Sequence, residues 1–264
     1  TGGVSGAFLL LPFQMSVLGF TSPAVSATNH LFNVVAIPGG VARYVRERRM
    51  LWPLAWTVAA GAVPGVVVGT FVRVRWLPDP GRFQIFVGLV LLVVAAQMVY
   101  GTVRSRRRPP PPSDGAWSVE VRERGASRVT YAFRGEVHGF RPRSVLLVSL
   151  AVGVVGGAYG IGGGSIVAPL LVTLFGLPVH TVAGAALFAT MLTSLVGVLA
   201  YQLMAPFHPE LAVAPDWALG LLFGVGGLAG TYCGAWIQRR IPARAIRWML
   251  VAVVLFLGVR YALL

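Results

Sequence analysis

The chain has 264 residues, 56% of them hydrophobic and only 11% charged, against roughly 25% charged in soluble domains. Mean hydropathy is +0.76 and formal net charge is +14, with Arg supplying all 22 cations. So little polar surface cannot cover a soluble core of this size. Nucleic-acid binding is also set aside, because the arginines sit in short loops between apolar runs and not on a basic face with stacking aromatics.

Apolar blocks run over residues 4–20, 22–42, 51–72, 83–103, 144–176, 178–204, 214–237 and 243–263. From Val4 to Ala42 the only ionisable side chain is His30, and from Ser144 to Gln202 it is His180. Charge-free stretches of this length read as bilayer-spanning, since about 20 apolar residues cross the hydrocarbon core as a helix. Trp52, Trp56, Trp76, Trp217, Trp236 and Trp248 lie mostly near block ends, as an interfacial belt does. The single Cys233 excludes a disulfide framework or a cysteine zinc cluster. The chain starts at Thr1 and not Met, so a missing N-terminal piece is expected; no signal peptide is visible.

Three domains are expected: a first membrane repeat (1–103), a basic linker (104–143) and a second membrane repeat (144–264). The linker opens with a proline-rich run, RSRRRPPPPSDG, which should be extended and solvated. Beyond it, Val119 and Val121, then Val129, Tyr131 and Phe133, alternate with polar residues between Gly115, Gly125 and Gly135. That period predicts a small β-hairpin over 117–140, outside the membrane.

The two membrane parts resemble each other. Setting Gly3 on Gly160 also sets Gly6 on Gly163, Pro12 on Pro169, Gly19 on Gly176, Gly40 on Gly197 and Tyr44 on Tyr201. After a shift of register, Trp52 meets Trp217, and Gly61, Gly65 and Gly69 meet Gly226, Gly230 and Gly234. Two topologies are open: eight spans in parallel repeats, or three spans plus one re-entrant hairpin per half, with the halves inverted. Loop charge favours the second. The loops Arg43–Arg49, Arg104–Arg143 and Arg239–Arg247 net +3, +6 and +4, and only the second topology puts all three in the cytoplasm. Ser144–Gly176 would also be about 50 Å long as one helix, too long for one crossing.

Chemistry concentrates at two places. GIGGGS at Gly160–Ser165 is followed by Pro169, and GGVSGA at Gly2–Ala7 by Pro12. Backbone broken at membrane depth survives only where protein or a cavity surrounds it, and a helix starting there offers free N–H groups to an anion. Alternatively, these glycines only allow close helix packing. A nucleotide loop is discounted, because no GK[ST] follows. Polar residues then cluster on the next helix of each half: Thr28, Asn29, His30 and Asn33, and Thr190, Thr193 and Ser194. Neutral donors suit a small oxyanion, and interhelical hydrogen bonding is the alternative for each of them. His30 could take a proton or be structural. No carboxylate lies in the apolar core, which argues against a carboxylate proton relay, a cation site and hydrolysis. Glu47 and Asp79 are expected in loop ion pairs. The four histidines do not sit at metal-ligand spacing, so neither metal nor cofactor is expected.

On SATNHLFNVVAIPGGVARYVRERRM, LWPLAW and PGVVVGTFVRVRWLPD in the first half, and on GGAYGIGGGSIVAPLLVTLFGLPVHTVAGAALFATMLTSLVGVLAY in the second, the chain resembles the TauE/SafE family of sulfite and organosulfonate transporters. Many members of that family read AxGTS where this chain has AGAA at Ala183–Ala186. The resemblance implies a multi-pass permease of a prokaryotic inner membrane, working on a small sulfur-containing anion.

The sequence thus predicts an all-α polytopic membrane protein in two repeats, with a small cytoplasmic β-hairpin between them. It is expected to be a transporter and not an enzyme, with the lipid bilayer and a small sulfur anion as partners, no nucleic acid, and a homo-oligomer as an option. The expected substrate site is Gly3, Ser5, Thr28, Asn29, His30, Asn33, Gly162, Gly163, Gly164, Ser165, Thr190, Thr193 and Ser194. An anion channel using the same pocket, or a membrane accessory subunit docking through the hairpin, are the other readings.

Overall fold

The computed structural model describes residues 6–105, 119–125, 127–237 and 243–263. The helices are α1 (Ala7–Ser16), α2 (Ala24–Ala36), α3 (Pro38–Arg46), α4 (Trp52–Arg75), α5 (Pro80–Ser105), α6 (Pro142–Tyr159), α7 (Gly163–Leu174), α8 (Val179–Met204), α9 (Trp217–Ile237) and α10 (Ala243–Leu263). Stretches in α4, α5, α6 and α8 are long and apolar enough to cross a membrane. Helices α9 and α10, at 21 residues each, reach about 32 Å at 1.5 Å per residue. Gly3, Ser5, the proline-rich run at Arg106–Ser118 and the basic segment Gln238–Pro242 lie outside the described residues.

Two local expectations change. The block 22–42 is not one helix, because Pro38 supplies no N–H to the ladder and splits it into α2 and α3. The linker holds a three-stranded antiparallel meander: β1 (Val119–Arg124), β2 (Val129–Phe133) and β3 (Glu136–Phe140). Arg134 and Gly135 take positive φ, 53° and 79°, and this two-residue turn folds β3 back so that Tyr131 faces His138. Only β2 keeps its alternation buried; Val121 on β1 is exposed.

The sheet marks one side of the helix bundle. Val119 N–H donates to the Arg48 carbonyl at the α3–α4 turn (3.3 Å). The Tyr131 hydroxyl meets that of Thr181 at the start of α8 (2.9 Å), and α6 begins directly after β3. Burial pushes the Tyr131 phenol up to about 12. Arg43 and Arg49 flank Glu47 on this side at 2.8 and 2.7 Å and hold its carboxyl below the usual carboxylate range.

A second set of bonds marks the opposite side. Ala24 N–H, opening α2, donates to the Ala212 carbonyl in the loop after α8 (2.9 Å). Arg73, at the end of α4, donates to the Thr21 carbonyl before α2 (3.2 Å). Tyr261, near the end of α10, donates to the Pro12 carbonyl of α1 (3.0 Å). Asp79, expected in an ion pair, instead accepts from the Arg82 N–H in the first turn of α5 (2.9 Å). Helices α2–α3 therefore run toward the sheet side, while α4 and α8 run away from it. Helices α6 and α7 leave and rejoin the sheet side around the break at Gly160–Gly162.

Helix bounds and the internal resemblance agree in part, with α2 and α3 together falling on the single helix α8. The alignment that sets Gly3 on Gly160 lays Ala7–Ser16 on Gly164–Thr173, within α7, and the start of α2 on Thr181, within α8. Helix α4 packs on α8, and α2 packs on α9.

The α4–α6 pair is the tightest contact. A Cβ added at Gly61, Gly65 or Gly69 would overlap the carbonyl oxygens of Leu146, Leu150 and Val154, and one at Gly153 or Gly157 those of Ala62 and Val66. These spacings put small residues on one face of each helix and let the backbones touch, which is how membrane helices gain packing without a hydrophobic drive. Gly65→Ala should therefore lower stability in detergent by about 2 kcal/mol or more, since backbone must move. Gly226→Ala on α9, where an added Cβ meets nothing within 4 Å, should be neutral or slightly stabilising. Thermal-unfolding midpoints of the two variants check the contrast.

Candidate functional site

Gly160 ends α6 in the left-handed region (φ 92°) and Gly162 opens α7 with φ 71°, conformations that side chains with a Cβ rarely adopt. Between them the chain reverses direction within three residues, with Ile161 fully buried. This reversal places the N-terminus of a 12-residue helix inside the protein, and its first-turn N–H groups have no carbonyl one turn earlier.

Side chains from α2 and α8 take up the broken backbone. The Gly163 N–H donates to Thr193 Oγ1 (3.2 Å), and the Thr193 hydroxyl in turn donates to the Ala189 carbonyl (2.6 Å). Ser165 and Thr190 hydroxyls lie 3.3 Å apart, and Thr190 also donates to the Ala186 carbonyl (2.8 Å). An added Cβ at Gly162 would meet Ser194 Oγ and Thr190, and one at Gly164 would overlap the Ala186 carbonyl and Thr190, so the tip and α8 touch without space for a side chain. From α2, the Ser26 hydroxyl donates to the Ala158 carbonyl (2.8 Å). His30 sits between Ser194 Oγ (3.3 Å from Nδ1) and the Gly157 carbonyl (3.4 Å from Nε2). A ring protonated at Nε2 satisfies both contacts.

The first half reaches the same place. Asn29 Nδ2 donates to the Ala7 carbonyl (3.1 Å), and the Tyr159 hydroxyl donates to the Phe8 carbonyl (3.1 Å). The start of α1 thus abuts the end of α6. Asn29 Oδ1 and the whole amide of Gln14 are buried with no hydrogen-bond partner among the described residues.

Of the expected site residues, Asn29, His30, Gly162, Gly163, Gly164, Ser165, Thr190, Thr193 and Ser194 converge here. Asn33 is buried one turn along α2. Thr28 points elsewhere: its hydroxyl accepts the Asp216 N–H (2.9 Å) and ties α2 to the loop before α9. Ser26, Tyr159 and Tyr201 belong to the cluster and were not anticipated. Ser26 stands in the same polar run as Thr28 and Asn29, so the sequence carries a signal for it; Tyr159 and Tyr201 are single aromatics within apolar blocks. Tyr201 donates to the Gly157 carbonyl (3.0 Å) and packs near the His30 ring. The described side chains around the tip are neutral donors and acceptors, set about a helix N-terminus in an apolar surround. Such a setting favours an anion.

Discontinuous helices whose N-termini meet a buried polar cluster recur at the substrate sites of membrane transporters. The sequence model of the family described as "Sulfite exporter TauE/SafE" matches residues 1–261, and the chain belongs to this family. It is 20% identical over 264 residues to the probable membrane transporter protein YunE of Bacillus subtilis (strain 168), covering 97% of this chain and 89% of that one. A probable membrane transporter protein of Xylella fastidiosa (strain 9a5c) is 22% identical over 242 residues, covering 91% and 80%. YdhB of B. subtilis, described in the same words, is 31% identical over 114 residues, 43% of each chain. No solved structure matches the chain.

Thr193 holds the first N–H of α7, so Thr193→Val keeps the shape and orphans that donor. Stability should fall by about 1–3 kcal/mol. Thr173→Val removes a hydroxyl that only bonds back along its own helix, to the Pro169 and Leu170 carbonyls, and should be nearly silent. Thermal unfolding in detergent distinguishes the two.

Proposed function

We propose that the chain carries a small sulfur oxyanion, such as sulfite or a sulfonate, across the inner membrane of a prokaryote by alternating access of two inverted repeats. One observation carries this reading: an internal helix N-terminus, at Gly162–Ser165, faces neutral donors from α2 and α8. In this conformation α8 closes against the tip; an anion that enters as the halves part would meet the N–H groups of Gly163, released by Thr193, and of Gly164 and Ser165. Asn29, Asn33, Thr190, Thr193 and Ser194 supply further polar groups, and His30 closes the cluster on one side. Gly3 and Ser5 are the first-half counterparts of the tip, and Thr28 anchors the helix that bears Asn29.

Support for inversion comes from the helix directions. Helices α2–α3 run toward the sheet side and their counterpart α8 runs away from it. Each half also packs on the other through corresponding helices, α4 on α8 and α2 on α9. Two halves so related can rock about a central site. With the sheet side cytoplasmic, the basic loop Arg43–Arg49 and the linker both follow the positive-inside rule. The family's name and the relatives described as membrane transporters agree with the activity class.

The purified protein in liposomes should move radiolabelled sulfite with a rate that saturates. Ser194→Ala and Asn29→Ala should each reduce that rate about tenfold, the loss of one good hydrogen bond to a charged ligand. Flux that never saturates would mean a channel. If sulfite, thiosulfate and simple sulfonates all stay put, the substrate class is wrong.

A further inference from the structure

Arg73 follows directly on the charge-free block 51–72, and the structure buries it completely at the end of α4, while Arg75 two residues on is exposed. Its guanidinium donates to the main-chain carbonyls of Leu77 and Thr21, from the α4–α5 and α1–α2 connections. Among the described residues its Nε has no partner, and its ζ carbon lies 3.6 Å from the centre of the Phe83 ring. Among the described residues the ion pairs involve Glu47 and Glu136, and none includes Arg73. Asp79, six residues on, caps α5 instead.

A fully buried cation held only by carbonyls and an aromatic face is costly, and in a membrane such a residue usually marks a substrate or ion path. A structural link between two loops needs no charge. The surroundings point inward. Tyr201 shares a small buried cluster with Val74, the residue that follows Arg73 in α4. Tyr201 and Ser26 both bond the end of α6, at the carbonyls of Gly157 and Ala158. Tyr201 thus joins the cluster beside Arg73 to the end of the helix that leads into the hairpin tip.

We propose that Arg73 is a second anion-binding station, on the side away from the sheet, where its planar guanidinium takes the permeant oxyanion between that face and the hairpin tip. This rests on the carrier reading above. The fork of N–H groups matches two oxygens of a sulfite or sulfonate, and Nε–H is still unoccupied. Exchange of the Leu77 or Thr21 carbonyl for an anion oxygen costs no charge and loosens the two loops that close this end of the bundle.

The test uses the full chain in proteoliposomes, with sulfite as the probe, and the same protein in detergent for sulfite-dependent thermal stabilisation. Arg73→Met fills the space without charge, and Arg73→Lys keeps the charge but loses the fork. Arg73→Met should raise the KM for sulfite at least about tenfold and abolish the sulfite-dependent rise in Tm, while Arg73→Lys raises KM several-fold. A purely structural arginine would lower the Tm without sulfite and leave KM and the sulfite-dependent rise intact. KM within about twofold of the parent in both variants would overturn the station while leaving the carrier standing. Parent protein that neither moves nor is stabilised by sulfite would remove both. Should Arg73→Met fail to fold, Arg73→Lys decides alone, a raised KM supporting the station and an unchanged one overturning it.

Discussion

Water is missing at membrane depth, so a helix broken there must find protein partners for its free backbone groups. The reversal at Gly160–Gly162 creates that demand, and much of the central architecture answers it. Thr193 takes an N–H, Ser26 and Tyr201 bind carbonyls at the end of α6, and His30 reaches the same Gly157 carbonyl. These partners come from α2 and α8, one from each half of the chain. The break at Gly160–Gly162 is therefore buried by helices from both ends of the chain, and α2 and α8 lie side by side around it. Solvating the break and lining a polar site are therefore one physical task.

Close approach is the second half of the same constraint. The reach of a serine or threonine hydroxyl is short, so α8 must come within backbone contact of the tip. Gly162 and Gly164 leave no room for a Cβ against Thr190, Ser194 and Ala186. Helix α6, which carries the tip, is itself pressed onto α4 through glycines on both faces. Thus the glycines do both jobs that their spacing allowed: along α4 and α6 they permit packing, and at Gly160 and Gly162 they permit the turn.

Much of this was legible in the sequence, because hydropathy, glycine and proline report backbone needs directly. The hairpin break, the neutral polar faces of α2 and α8 and the strand character of the linker all followed from period and residue type. Three features did not. Pro38 splits an apolar block whose hydropathy is continuous, so the block looked like one span. The extra strand β3 depends on Arg134 adopting positive φ, which a bulky residue seldom does and no pattern announces. The burial of Arg73 depends on α5 and the α1–α2 loop folding over it, a tertiary fact invisible in a run that reads RVRW. Thr28 shows the converse: its neighbours line the tip, but its hydroxyl turns to Asp216 because a helix spreads successive residues around its axis.

Charge connects these observations to transport. Neutral donors at the tip can hold an anion without a fixed counter-charge, which keeps binding weak enough for release. A single guanidinium to one side then changes the electrical state of the pathway. With Arg73 free, the end of α4 carries a buried positive charge; with a monovalent anion bound, that charge is neutralised. Movement of charge through the membrane field is worth about 2.3 kcal/mol per elementary charge per 100 mV for a full crossing. On the proposed carrier reading, a form neutralised at Arg73 moves through that field at less cost than an empty form bearing the cation. Occupancy by the anion would then couple substrate binding to the motion of the two halves, and no buried carboxylate would be needed to supply the coupling.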